Sequence, residues 1–190
     1  MYNIISLAGD LGSGKSTVSA ILCKTLDYQY IYTGQIQRKI AERYGMTTIE
    51  LNHYAETHPE IDEEIDSTFK ALNNAENLIV DSRLAWFFIP NSFKVFLKTD
   101  LDVSIKRISS DKQRLNENYT SPQEAAKGIV ARKESEVRRY QQYYGVNCLD
   151  LNNYDLVVDT SNILPQEVAD IILEKFALWK ESHSTQITQI

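Results

Sequence analysis

The chain has 190 residues, 43% of them hydrophobic and 24% charged, with a formal net charge of −6. That describes one domain large enough for a substantial core, and its acidity argues against a general nucleic-acid binder, though not against a local basic pocket for phosphates. Cys23 and Cys148 lack metal-type spacing, no apolar run reaches transmembrane length, and Met1 leads straight into a strand-like segment. The expectation is therefore a cytoplasmic protein with reduced thiols, no signal peptide and no membrane span.

In chain order, the apolar run at residues 2–8 predicts a buried strand. Val18, Ile21, Leu22 and Leu26 recur at helical spacing just after it. Residues 28–32 read as a second strand. Thr33-Gly34 then opens a helix carrying Ile36, Ile40 and Tyr44 and stopped at Gly45. Thr47 or Thr48 caps a short helix through Leu51 and Tyr54, and Pro59 opens another with Ile61, Ile65, Phe69 and Leu72 as its buried stripe. Residues 77–81 and 93–97 predict the third and fourth strands, and residues 102–108 a helix. Residues 109–121 are polar without periodicity, residues 122–144 a long charged helix, and residues 154–159 the last strand. A final helix from Pro165 to about Lys180 carries Val168, Ile172, Phe176 and Trp179, and residues 181–190 are expected to fray. Strands alternating with helices imply a parallel five-stranded sheet covered on both faces, an α/β three-layer sandwich with ligands at the strand C-terminal ends.

The most informative segment is Gly9-Asp10-Leu11-Gly12-Ser13-Gly14-Lys15-Ser16-Thr17. It lies between a strand and a helix, the context in which a glycine-rich turn becomes a phosphate-binding loop. Gly9, Gly12 and Gly14 let the backbone curl with N–H groups inward, and the helix N-terminus adds its positive end. Lys15 is expected to reach the β- and γ-phosphates of ATP, and Ser16 to ligate Mg²⁺. Asp81, at the end of the third strand, is a second candidate for that ion.

Arginines form the next group. Arg38 and Arg83 each follow a strand's C-terminal end, and Arg132 and Arg139 are seven apart on one helix face. Transferring and accepting phosphates both need clustered guanidinium donors. Lys133, Arg138, Glu134 and Glu136 read instead as a solvated, salt-bridged face. His53, His58 and His183 have no metal-like spacing and read as surface or cap residues.

With these motifs in place, the chain resembles the nucleoside monophosphate kinases, and among them the archaeal-type cytidylate kinases. The resemblance rests on the loop from Gly9 to Thr17, Thr33-Gly34-Gln35-Ile36-Gln37-Arg38, Tyr54-Ala55-Glu56, Pro59-Glu60-Ile61-Asp62 and Asp81-Ser82-Arg83-Leu84-Ala85. It continues through Arg132-Lys133-Glu134-Ser135-Glu136-Val137-Arg138-Arg139-Tyr140, Tyr143-Tyr144-Gly145-Val146 and Tyr154-Asp155-Leu156-Val157-Val158-Asp159-Thr160. It implies a P-loop kinase domain over residues 1–180, with a helical monophosphate-binding insertion at 36–72, a lid region at 109–140 and a tail at 181–190. It also implies that Gly9, Gly12, Ser13, Gly14, Lys15, Ser16 and Thr17 serve ATP and Mg²⁺, with Arg107 near the ATP phosphates or base. Thr33, Arg38 and Arg83 would serve the acceptor, with Asp62 or Asp66 toward its base, and Arg132 and Arg139 would close over the phosphates.

Three features depart from the family pattern: Gln35 in place of an acidic residue, Asp81-Ser82-Arg83 in place of Glu-Gly-Arg, and a lid without an arginine soon after Arg107, unless Arg114 substitutes. The implied activity is ATP-dependent phosphorylation of CMP or dCMP. The partners are ATP and a nucleoside monophosphate, with neither nucleic acid nor membrane, in a monomer or homodimer. Two rival readings are a kinase of an alcohol, with Asp81 as base, and an ATP-binding sensor with negligible transfer.

Overall fold

A computed structural model describes residues 3–55, 57–110 and 121–185. The strands are β1 (Ile4–Gly9), β2 (Gln29–Tyr32), β3 (Leu78–Asp81), β4 (Phe93–Lys98) and β5 (Leu156–Asp159). The helices are α1 (Lys15–Leu26), α2 (Thr33–Tyr44), α3 (Thr48–Ala55), α4 (Pro59–Ala71), α5 (Ala85–Phe88), α6 (Leu101–Ser110), α7 (Pro122–Tyr144) and α8 (Pro165–Thr185). All strand pairs are parallel, in the order β2-β3-β1-β4-β5. The chain leaves β1 in one direction to build β2 and β3 and in the other to build β4 and β5. That reversal opens a crevice at the C-terminal end of β1, where such sheets take their ligands.

The period of two along each strand sorts its side chains between two cores. Ile5, Leu7 and Ile79 pack with Val18 and Leu22 of α1 and with Val168, Ile172 and Phe176 of α8. Ile4, Leu78 and Val80 face the other way, onto Ile36 and Ile40 of α2, Leu51 of α3 and Ile61, Ile65 and Phe69 of α4. Most of the periodic positions named in the sequence are thus buried, while Ile21, Leu26, Tyr54, Leu72 and Trp179 are half-buried and Tyr44 is 42% exposed. Both cysteines are free, Cys148 buried and Cys23 half-buried, each packed with a core.

Local signals set the helix ends. Thr47 makes the capping box: its hydroxyl accepts from Glu50 N (3.2 Å), and Glu50 Oε2 accepts from Thr47 N (2.7 Å). Ser121 Oγ caps α7 through Glu124 N (3.2 Å), with Pro122 in the first turn. Gly45 and Gly145 close α2 and α7 in the left-handed conformation.

The structure departs from the sequence expectation in three places. Helix α6 continues through Ser109 and Ser110, which the lack of apolar spacing assigned to a polar stretch. The short α5 was not anticipated, because four residues carry no period. Helix α8 runs to Thr185, into the segment expected to fray. Trp179 stacks on Phe176 and packs on Phe93, and His183 lies against Trp179 with Nδ1 2.8 Å from its carbonyl, so the last turns have an aromatic anchor. Arg114 and most of the polar stretch, Glu56 and the tail beyond Thr185 lie outside the described residues, as does the His53 side chain.

Candidate active site

The glycine-rich loop is shaped by close packing on both sides. Gly9 pairs with Leu97 of β4, and a Cβ at Gly9 would stand 2.4 Å from the Leu97 carbonyl oxygen. Gly12 (φ +78°) passes so near α6 that a Cβ would lie 3.0 Å from Ser104 Cα. Three consecutive loop carbonyls are held from outside: Leu11 O accepts from Ser104 Oγ (2.7 Å), Gly12 O from Arg107 (3.2 Å) and Ser13 O from Thr160 Oγ1 (3.1 Å). Gly14, left-handed at φ +84°, precedes α1 without offering a side-chain cap. The first-turn N–H groups of α1 are therefore available to an anion.

Lys15 turns back over this loop, with Nζ 3.2 Å from Gly9 O and 3.3 Å from Asp10 O. Burial lowers its pKa to about 8, with Asp81 raising it and Arg83 lowering it further. Asp81 ends β3 in register with Leu7 of β1, and its Oδ2 accepts from Tyr30 Oη (2.9 Å). Ser16 and Thr17 are exposed at the start of α1.

On one flank a cavity of about 320 Å³ is lined by Ser13, Ser16, Thr17, Arg107, Ile163 and Pro165, among others. Arg107 is fixed in its wall by Thr160, donating to the Thr160 carbonyl at 2.7 Å. The Ser13 hydroxyl, in a residue only 2% exposed, has no hydrogen-bond partner among the described residues.

On the other flank the long helix α7 lies against the loop. Arg83 donates from Nε to Glu136 Oε2 (2.7 Å) and from Nη1 to the Gly9 carbonyl. Glu136 Oε1 also accepts from Arg132 Nε (3.1 Å). Burial opposes ionisation of Glu136, but Arg83 and Arg132 outweigh it and hold the carboxyl below its ordinary range. Lys133 Nζ pairs with Asp10 Oδ1 of the loop itself at 2.9 Å. These contacts correct the sequence reading of Lys133 and Glu136 as a solvated face. The Glu136 side chain is only 14% exposed, whereas Arg138 and Glu134 do form an exposed i,i+4 pair. The missed signal was spacing: Ile129, Arg132, Lys133, Glu136 and Tyr140 fall on one helical face, and Ile129 is buried.

Beyond β2 and β3 lie the other predicted groups. Thr33 Oγ1 donates to the Asp81 carbonyl (3.4 Å), tying the start of α2 to β3. Arg38 is exposed and bonds Tyr32 Oη, and the Tyr32 ring stacks on Tyr30. Further along, Tyr144 of α7 donates to Asp66 Oδ2 of α4. Burial pushes the Asp66 carboxyl up, with the Tyr144 hydrogen bond opposing and Asp62 adding to the rise. Burial works against the Arg139 charge, but Tyr140 and Asp62 more than offset it. The fold therefore gathers Lys15, Asp81, Arg83 and Arg132 at the loop, sets Arg107 on one flank, and leaves Arg38, Asp62 and Arg139 along the face toward α2 and α4. His58 stacks on Tyr54 at the start of α4.

Comparison with known proteins gives the following. Residues 4–162 match the cytidylate kinase-like family. The chain is 38% identical over 172 residues to a cytidylate kinase of Sulfolobus acidocaldarius, covering 89% of this chain and 91% of that one. It is 37% identical over 172 residues to a cytidylate kinase of Methanosarcina mazei, covering 88% and 93%. It is also 38% identical over 178 residues to an S-adenosylmethionine-dependent nucleotide dehydratase of Lacinutrix mariniflava, spanning 93% of this chain but only 36% of that protein. Among solved structures, a shikimate kinase from Bacteroides thetaiotaomicron superposes with a TM-score of 0.68 at 17% identity, over 92% of this chain and 98% of that one. A second, from Acinetobacter baumannii, gives 0.64 at 16% identity over 95% and 96%. At such identity these structures speak for the P-loop kinase fold alone.

Proposed function

The chain belongs to the cytidylate kinase-like family and is a phosphotransferase of that family, and we propose that it moves the γ-phosphoryl group of ATP onto CMP or dCMP. One observation carries the reading. Lys15 from the phosphate loop and Arg83 from the end of β3 both donate to the Gly9 carbonyl, so a donor cradle and an acceptor cradle meet at one backbone atom. ATP would lie with its phosphates on the loop and its base in the cavity beside Arg107. The acceptor would lie across β3 toward α2 and α4, its phosphate on Arg83 and Arg38 and its base toward Asp62 and Asp66.

The attacking phosphate oxygen is already ionised, so no strong base is needed and catalysis rests on positioning and charge neutralisation. Lys15 and Arg132 supply positive charge around the transferring group, Arg139 stands farther along α7 beside Asp62 on the acceptor side, and α7 over the loop excludes water that would hydrolyse ATP. A hydroxyl and a carboxylate are the hard oxygen donors magnesium takes, so Ser16 and Asp81 would hold Mg²⁺, which neutralises charge across the β- and γ-phosphates. An alcohol acceptor is disfavoured because Asp81, its only proposed base, has Oδ2 engaged by Tyr30.

The test is a coupled ADP-release assay with Mg²⁺-ATP across CMP, dCMP, UMP, AMP, GMP and dTMP. Rate acceleration by the cytidine nucleotides is expected, and silence with every acceptor overturns the proposal in favour of a sensor. Arg38→Ala should raise the acceptor KM about 10- to 100-fold, the loss of one or two charge-assisted bonds. An unchanged KM would remove Arg38 from the acceptor site.

A further inference from the structure

The ion pair between Lys133 and Asp10 joins the middle of α7 to the second residue of the phosphate loop. Asp10 is well prepared to receive it. Its backbone N–H bonds the Leu97 carbonyl (2.9 Å), and its Oδ2 accepts the Thr99 N–H at the end of β4 (3.1 Å), so Oδ1 is presented from a fixed carboxylate. The Asp10 side chain is 14% exposed against 46% for Lys133, so the flexible partner comes from the helix and the rigid one from the loop. On α7, Lys133 sits next to Arg132 and one turn before Glu136, whose carboxylate bridges Arg132 and Arg83. Ile129, 7% exposed and one turn earlier, supplies the apolar anchor on the same face.

We infer that Lys133 and Asp10 are positioning residues: their pair fixes the rotation and height of α7 over the phosphate loop so that Arg132 is delivered to the phosphates. This rests on the reading of α7 as the helix that closes over the reacting phosphates. Geometry favours it over a purely structural role. The Lys15 ammonium bonds the carbonyls of Gly9 and Asp10, so the residue that Lys133 grips also carries a backbone acceptor of the phosphate-binding lysine. The Lys133 charge also cancels that of Asp10, which would otherwise repel a triphosphate arriving on the loop.

The experiment compares Lys133→Met, Lys133→Arg, Asp10→Asn and the Lys133→Met/Asp10→Asn pair. It reads kcat, the KM values for ATP and CMP, and amide hydrogen exchange along residues 122–135. Lys133→Met should lower kcat about two- to fivefold, the scale of a half-exposed ion pair. The KM for CMP should move little, Lys133→Arg should recover most of the loss, and exchange in residues 122–135 should rise. Asp10→Asn keeps an oxygen for the Thr99 N–H, and the double variant should be no worse than Lys133→Met alone. Losses that multiply in the double variant, or an arginine variant as impaired as methionine, would overturn the inference. If the wild type transferred phosphate to no acceptor, the functional reading would fail separately. Exchange would still judge the latch, since it must rise in both single variants and no further in the double.

Discussion

At Lys15, burial and charge pull in opposite directions. Desolvation lowers its pKa to about 8, Asp81 pulls it back up, and Arg83 pushes it down. A triphosphate laid on the loop favours the ammonium form, so binding should take up a proton once the solution is more alkaline than that value. The sign follows directly: below about pH 8 the lysine is already charged and ATP affinity is flat, and above it affinity should fall toward tenfold per pH unit. Calorimetry of ATP binding between pH 7 and 9.5, in buffers of different ionisation enthalpy, measures both the slope and the proton uptake. Lys15→Met should bind weakly at every pH and lose the slope. A wild-type affinity that stays level to pH 9.5 would mean the ammonium does not meet the phosphates.

Among the elements, the β1–loop–α1 unit is the most tightly determined. Gly9 is squeezed against β4, so Gly9→Ala must move backbone rather than a side-chain tip, its Cβ otherwise lying 2.4 Å from Leu97 O. Overpacking of this kind costs about 2–3 kcal/mol, which urea unfolding reads as a lowered midpoint at unchanged slope. This unit was legible in the sequence because its requirements are local: glycines where the chain curls, and an apolar strand before an apolar-striped helix. A threonine cap at 47 or 48, the Pro122 start of α7 and the stop at Gly45 were legible for the same reason. What the sequence hid depends on partners far away in the chain. Glu136 looked like one more surface carboxylate until folding set it against Arg83, 53 residues distant. Asp10 and Lys133 are 123 residues apart, and neither alone signals the other. Arg83 reaches the loop carbonyl of Gly9, whereas Arg38 is exposed on α2 and lies against Tyr32.

For the molecule as a whole, the sheet order decides what the helices can do. With β1 central, α1 and α8 cover one face, and α2 to α4 cover the other on the side of β2 and β3. The crevice at the strand ends therefore has one flank near Arg107 and another near α2 and α4, with α7 reaching both, from Lys133 at the loop to Tyr144 at Asp66. If both flanks serve one reaction, a single ligand that joins adenosine and cytidine through five phosphates should engage them together. Bound 100-fold more tightly than ATP at the same excess, it would add about 2.7 kcal/mol to folding stability. For a chain of this size that is an additional Tm increase of roughly 5–10 °C. Scanning calorimetry of the protein with ATP, with CMP and with the linked compound, each with Mg²⁺, makes the comparison. Lys15→Ala should forfeit most of the linked compound's effect, since the loop anchors its phosphates. A linked compound that stabilises no more than ATP alone would place the two cradles out of each other's reach, because joining two ligands helps only when one span can satisfy both sites.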